Sequence, residues 1–227
     1  MDRSPEDVAR AVLDRHGRTY ADEAGIRLAD GPASLFQLLV LTLLLSARIN
    51  AAIAVAAARA LFAAGWTSPQ RMRDAGRPAV IAALGRSGYR RYDERTATRL
   101  KEMATLVLET YGGDLRRLAA AADGDADRVA DLVQEVNGIG PTGAAVFLRE
   151  VQAVWPWVRP LLDRKALDGA RRIELPDDAD RLAALVPGNE LARFAAGLVR
   201  ISLLPKSAEP LAVPPTEPPT EPSSGDL

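Results

Sequence analysis

The sequence contains no cysteine, a single histidine (His16) and only 5% aromatic residues. Without cysteine, the chain can form neither disulfides nor zinc–thiolate sites nor cysteine-ligated iron–sulfur clusters. One histidine also argues against a multi-histidine metal centre or a serine–histidine–aspartate triad. We therefore expect no metal and no cofactor, so any catalysis has to rest on carboxylates, hydroxyls, lysines or the backbone.

Long hydrophobic runs are missing as well. The longest apolar run, Leu35–Ala47, spans about 13 residues and includes Gln37 and Thr42. A bilayer-spanning helix needs roughly 20 apolar residues, so this run predicts a buried core helix. The N-terminus is charged and lacks the apolar stretch of a signal peptide. We expect a cytoplasmic protein with no membrane partner.

The net charge of −1 conceals an uneven distribution. Between Arg48 and Arg117, thirteen basic residues stand against six acidic ones, an excess of seven positive charges. The end of the chain is acidic, and its Pro214–Pro222 repeat has too few apolar residues to fold. The sequence thus predicts a basic middle segment and a disordered Pro-rich tail over residues 205–227, which is either a solvated appendage or a docking peptide.

The residue content favours helices. Ala, Leu and Arg are abundant, whereas β-branched and aromatic residues are scarce. Apolar residues recur at helical spacing in short segments that are separated by Gly, Pro and Asp, and no alternating strand pattern is evident. These features predict an all-α fold.

Glycine and proline punctuate the segment VNGIGPTGAA in the second half of the chain. One helix is predicted to end at Gly138, where a positive φ is needed, and another to begin at Pro141, which suits the first helical position. The hairpin between them would expose the backbone N–H groups of Gly140, Thr142 and Gly143 at a helix N-terminus, which attracts phosphate. Taken alone, the Gly-x-Gly pattern favours a plain helix–turn–helix connection with glycine caps.

Three segments, in order and at matching spacing, resemble the helix-hairpin-helix superfamily of DNA glycosylases, in an organisation similar to endonuclease III and the adenine glycosylases. The family hairpin reads Leu-Pro-Gly-Val-Gly before an alanine-rich helix, and here Val136–Gly140 is followed closely by an Ala-Ala pair. Upstream, Leu44–Arg48 resembles the family's Leu-Leu-Ser helix end, and Gly88–Arg90 resembles a Gly-Tyr element that leads into a long helix. The resemblance extends over about residues 35–204.

This resemblance implies two helical subdomains and a helix-hairpin-helix motif. Residues 34–147 would form a helical barrel that carries the hairpin, and residues 1–33 plus 148–204 would form the second subdomain. The implied partner is double-stranded DNA with a damaged or mismatched base, which a monomer would bind in the groove between the subdomains.

The family's catalytic aspartate lies nine residues before an arginine that precedes a short apolar–proline segment. Arg172–Pro176 matches this landmark and indicates Asp163, with Asp168 as the alternative. A carboxylate there would stabilise the oxocarbenium charge that builds on the sugar, or would activate the attacking water. Alternatively, Asp163 caps the helix that follows it, or pairs with Arg159 or Lys165.

The hairpin departs from bifunctional members of the family, which have a Schiff-base lysine where this chain has Thr142. A hydroxyl cannot form the imine that drives strand cleavage, so the resemblance implies a monofunctional glycosylase of base-excision repair. Lys165 is the lysine that could upset this expectation. Its side chain is expected to point away from Asp163, because residues i and i+2 lie roughly 200° apart around a helix. A catalytically silent DNA-binding protein and a helical protein adaptor remain as alternatives.

Further residues are predicted to contact DNA. Arg48 replaces the glutamine that enters the duplex at the vacated base in related proteins, and its donors could pair with the orphan base, contact a phosphate or cap its own helix. Tyr89 is predicted to stack on the flipped base, with core packing as the alternative. A set of five arginines is predicted to form a phosphate-facing surface, unless they form a solvated charged surface: Arg86, Arg90, Arg91, Arg95 and Arg99.

The hairpin and the basic middle segment together predict DNA binding that weakens as salt rises. Gly140→Asp would set a carboxylate against a phosphate, so we expect it to weaken binding to damaged and undamaged duplexes alike, by about tenfold or more, which is ~1.4 kcal/mol. Fluorescence anisotropy at several salt concentrations measures the effect. Unchanged affinity in a folded Gly140→Asp variant would remove the hairpin from the interface.

Overall fold

The computed structural model describes residues 4–211, and over this range it confirms the predicted all-α fold. The α-helices are α1 (Pro5–His16), α2 (Tyr20–Glu23), α3 (Pro32–Leu45), α4 (Ala51–Ala63), α5 (Pro69–Asp74), α6 (Arg77–Arg86), α7 (Asp93–Tyr111), α8 (Arg116–Ala121), α9 (Ala126–Gln134), α10 (Pro141–Val151), α11 (Arg164–Arg172), α12 (Ala179–Ala183) and α13 (Leu191–Leu203). Short 3-10 turns cover Pro156–Val158 and Gly188–Glu190. Within the described range, no helix combines the length and the apolar character needed to cross a bilayer.

Caps and prolines determine where many of these helices begin. Asn50 accepts the N–H of Ala52 at 2.8 Å at the start of α4, and Asp125 caps α9 in the same way. Proline lies in the first turn of α1, α3, α5, α6 and α10, where its missing N–H would have had no intrahelical partner. The long helix α7 ends at Gly112, whose φ of 59° lies in the left-handed region.

The helices enclose two hydrophobic cores. The larger core includes α3, α4, α7 and α10, and the smaller core is built from α1, α11, α12 and α13. Contacts between α10 and α13 connect the two. Residues 20–26 and 148–158, which were predicted to belong to the second subdomain, supply side chains to the larger core. The bounds of the two subdomains stay a prediction.

A buried glutamate explains why α2 belongs to the larger core. The carboxylate of Glu150, on α10, accepts the backbone N–H of Tyr20 at 3.2 Å and that of Ala21 at 2.9 Å. These bonds satisfy two otherwise unpaired donors at the start of α2 and hold it against α10. Burial raises the pKa of Glu150, while neighbouring Arg149 and the two N–H groups act in the opposite direction.

The segment after α13 is packed for longer than its sequence suggested. Arg172 donates to the carbonyl oxygens of Leu204 at 2.6 Å and Ala208 at 3.3 Å, and Leu211 packs against the smaller core. His16 Nε2 lies 2.7 Å from the carbonyl oxygen of Pro210. The predicted tail therefore starts too early at residue 205, since its first seven residues attach to the smaller core through arginine–carbonyl bonds. Residues 212–227 lie outside the described range, and for them the disordered tail stays a prediction.

Gly169 allows α11 and α13 to approach closely. A Cβ atom on Gly169 would lie 1.9 Å from the backbone oxygen of Leu198, a contact that no side-chain rotation can relieve. We expect Gly169→Ala to lower the free energy of unfolding by about 2–3 kcal/mol through overpacking. Gly85→Ala is the matched control within α6, because the nearest atom to its Cβ is 4.0 Å away. This control should be neutral or stabilise by up to ~1 kcal/mol.

Urea unfolding monitored by circular dichroism compares the two variants. Equal stability of Gly169→Ala and Gly85→Ala would show that the close approach of α11 and α13 is not as described.

Candidate active site

The hairpin between α9 and α10 has the geometry expected from its sequence. Gly138 adopts a φ of 103°, and the extended Gly140 precedes α10, with Pro141 in its first turn. These two predictions are confirmed. Gly140 and Thr142 are exposed, so the positive end of α10 faces solvent.

Gly143 has a different role from the one predicted. It is buried, and a Cβ atom there would lie only 2.2 Å from Oγ of Ser46 at the end of α3. The residue is glycine because α10 packs against α3 at this point. Gly143 is therefore a packing residue and not an exposed contact for DNA.

Helix α7 supports the hairpin from one side. The Asn137 side chain donates to Oε2 of Glu102 at 3.0 Å. The guanidinium group of Arg99 lies against Gly138, where an added Cβ would be 2.9 Å from Nη1. Arg99 thus brings a positive charge to the same loop as the end of α10.

A cleft of about 550 Å³ is lined by residues from both cores. One wall is a face of α10 that carries Thr142, Ala145, Val146 and Arg149, which share this face because they follow helical spacing. Asp163, at the start of α11, also lines the cleft. The cleft therefore connects the exposed end of the hairpin helix with the predicted catalytic carboxylate.

Asp163 has two structural partners. It is the N-cap of α11, where Oδ1 accepts the N–H of Ala166 at 2.9 Å, and Oδ2 accepts a hydrogen bond from Nη1 of Arg149. The ion pair is largely buried, with side-chain exposures of 12% for Asp163 and 3% for Arg149. Of the local roles considered for Asp163, capping is confirmed. Its ion-pair partner is Arg149 and not Arg159 or Lys165.

Lys165 does not point away as expected, since it lines the same cleft as Asp163. The angular rule applies only when both residues are helical. Asp163 has a φ of −70° and a ψ of 170°, which places it outside the helix. The expectation was wrong because the cap residue does not follow the helical spiral.

Tyr89 is fully buried and cannot stack on a flipped base. Its hydroxyl donates to the carbonyl oxygen of Leu44 at 3.2 Å, and burial raises its pKa. Core packing, the alternative, is the role that the structure supports. The aromatic residue that does line the cleft is Tyr20, whose local sequence pattern gives no such signal.

Among the predicted DNA-contacting arginines outside the hairpin, Arg99 is partly buried and the others are exposed: Arg48, Arg86, Arg90, Arg91 and Arg95. Arg48 lies between Leu45 and Ile49, both of which line the cleft, so it is adjacent to the cleft in the chain. Arg90 and Arg91 precede α7 and do not line it. The contact of these arginines with DNA stays a prediction.

One other possibility loses support. Asp168, the alternative catalytic residue, is absent from the cleft and forms an ion pair with Arg171 on the surface of α11. Over residues 4–211, no group of three or more histidine or acidic side chains is placed to hold a metal ion.

Comparisons with known proteins leave the family open. No family model matches the chain, and no curated protein matches it. Among solved structures, one match is endonuclease III trapped in a covalent intermediate with DNA, described as an estranged-adenine complex. The alignment covers 88% of this chain and 85% of the endonuclease III chain, with 16% sequence identity and a TM-score of 0.47. An identity and a TM-score this low do not establish a family.

The buried ion pair has a testable energetic signature. Asp163→Ala should lower the free energy of unfolding by about 3–5 kcal/mol, because it leaves the buried Arg149 charge without a partner. Adding Arg149→Met should recover most of that loss, since the unpaired charge is then removed. Urea unfolding of both single variants and the double variant measures the coupling. Purely additive effects would mean that the two side chains do not interact.

Proposed function

We propose that this protein is a monofunctional DNA glycosylase of base-excision repair. It would hydrolyse the N-glycosidic bond of a damaged or mismatched base in double-stranded DNA, acting as a cytoplasmic monomer without a cofactor. The observation that carries the proposal is that Asp163 and the exposed N-terminal end of α10 line one cleft.

DNA binding is supported by the hairpin. Gly140 and Thr142 leave the start of α10 exposed, and a helix N-terminus offers both free N–H donors and a positive dipole to a phosphate. Arg99 adds a cation beside Gly138. A strand held there would lie about 10 Å from Arg149 along the axis of α10, because seven residues at 1.5 Å each separate Thr142 from Arg149.

Hydrolysis of the N-glycosidic bond requires mainly a correctly positioned carboxylate. As the C1′–N bond breaks, positive charge builds on the sugar, and Asp163 can stabilise it or orient the attacking water. The capping bond from Ala166 and the ion pair with Arg149 fix the direction of the carboxylate. Each carboxylate oxygen has a second lone-pair site, so these bonds leave acceptor capacity towards the cleft.

One observation favours a second candidate, a catalytically silent DNA-binding protein. Both oxygens of Asp163 already accept hydrogen bonds, and a carboxylate that caps a helix and neutralises a buried arginine is explained without catalysis. The two functions share the hairpin and differ only in base release.

Asp163→Asn separates the two candidates. The amide keeps the shape of the carboxylate and can still accept the capping bond, but supplies neither the charge nor a base. We expect base release to fall by about 10²–10⁴-fold while affinity for damaged duplex stays the same or rises. Release is followed under single-turnover conditions, with a thermal melt to verify that Arg149 has not destabilised the variant.

Asp168→Asn is the matched control, because Asp168 lies on the same helix outside the cleft. It should retain full activity. Substantial turnover by Asp163→Asn, or loss of activity in Asp168→Asn instead, would place the catalytic carboxylate elsewhere.

The product should be an intact abasic site, because Thr142 cannot form an imine with the opened sugar. Incubation with damaged duplex and borohydride tests this, since the reagent traps an imine as a covalent adduct. Lys165 lines the cleft and is the lysine to examine. An adduct that disappears in Lys165→Ala but persists in Lys206→Ala would overturn the monofunctional assignment.

A further inference from the structure

Positive charge exceeds negative charge among the residues that line the cleft. Asp163 is the acidic residue there, and Arg149, Arg164 and Lys165 are basic. Asp163 compensates the charge of Arg149. In the part of the chain that the structure describes, neither Arg164 nor Lys165 forms an ion pair, so their charges are available to whatever occupies the cleft.

The aromatic surface of the cleft is already in contact with cations. Tyr20 is the aromatic residue in the lining, and the guanidinium carbons of Arg149 and Arg200 lie 5.9 Å and 5.0 Å from its ring centroid. A base that carries a positive charge is held well by an open aromatic face. Here that face is shared with two arginines, so the cleft lacks the usual means of binding a cationic base.

Resting on the proposed glycosylase function, we propose that the cleft selects neutral bases, which depart as anions, and discriminates against alkylated bases that carry a positive charge. In the reaction the C1′–N bond breaks and its electron pair goes to the base nitrogen, while the oxygen of water bonds to C1′. The proton of water then neutralises the departing base. Arg164 and Lys165 stabilise the negative charge that develops on that base in the transition state.

For a cationic base, the charge changes in the opposite direction during departure. It departs as a neutral molecule, and the proton of water goes to solvent, so the positive cleft gives its departure no stabilisation. The same charges repel it as it enters. Apolar side chains line the cleft beside these charges, among them Leu45 from the larger core and Val199 from the smaller core, and an apolar surrounding strengthens electrostatic interactions.

Single-turnover release from defined duplexes tests the proposal. Uracil, 8-oxoguanine and mismatched adenine or thymine serve as neutral bases, and 7-methylguanine and 3-methyladenine serve as cationic ones. Each rate is divided by that of spontaneous loss from the same duplex, because cationic bases leave faster without an enzyme. We expect the wild-type acceleration for the best neutral base to exceed that for either cationic base by at least about tenfold.

Removing a positive charge from the cleft should change the ratio of the rate acceleration for neutral bases to that for cationic bases. Arg164→Met and Lys165→Met should each lower the acceleration for neutral bases by about tenfold, and leave that for cationic bases unchanged or higher. Lys206→Met removes the same charge outside the cleft and should leave the ratio unchanged. Affinity for every duplex is measured in parallel, because removing a lysine that only contacts a phosphate weakens binding to all duplexes equally.

The outcomes separate this inference from the function on which it rests. Faster release of cationic bases, or an equal loss for both classes in Arg164→Met and Lys165→Met, would overturn the selectivity and leave a glycosylase. Release of no base by the wild-type protein would overturn the proposed function and this inference with it.

Discussion

The ion pair between Arg149 and Asp163 is the interaction on which the candidate site depends. It joins α10, from the larger core, to the N-cap residue of α11, from the smaller core, and it is almost fully buried. Removing two charges from water is costly, and Arg149 and Asp163 remain charged in the protein interior only because each neutralises the other. The pair therefore fixes both the position of Asp163 and the relation between the two sides of the cleft.

Helix α10 connects this ion pair to the hairpin. Gly143 allows its first turns to pack tightly against α3, and Glu150 holds α2 at its other end. Between them, one face of the helix runs from Thr142 to Arg149 along the cleft. The proposed phosphate site at the N-terminus of α10 and Arg149, the partner of Asp163, thus lie on one rigid helix, which keeps their separation constant.

Local chemistry could be predicted from the sequence, and distant contacts could not. The positive φ of Gly138 and the start of α10 at Pro141 follow from properties of the residues themselves, and both were predicted correctly. Tyr89 and Lys165 were misplaced because burial and the exact cap of a helix depend on the packed structure. No sequence motif indicated Arg149 as a site residue. Helical spacing alone places it on the same face of α10 as Thr142, and this could have identified it.

Hydrogen exchange tests the central claim, that DNA binds at the cleft between the two cores, without requiring any chemistry. The protein is compared alone, with an undamaged duplex, and with a duplex that contains a stable abasic-site analogue. The account predicts that the analogue duplex slows exchange in the first turns of α10 and at the start of α11, around Lys165, more than the undamaged duplex does. Slowed exchange confined to α5 and α6, or none at either side of the cleft, would contradict it.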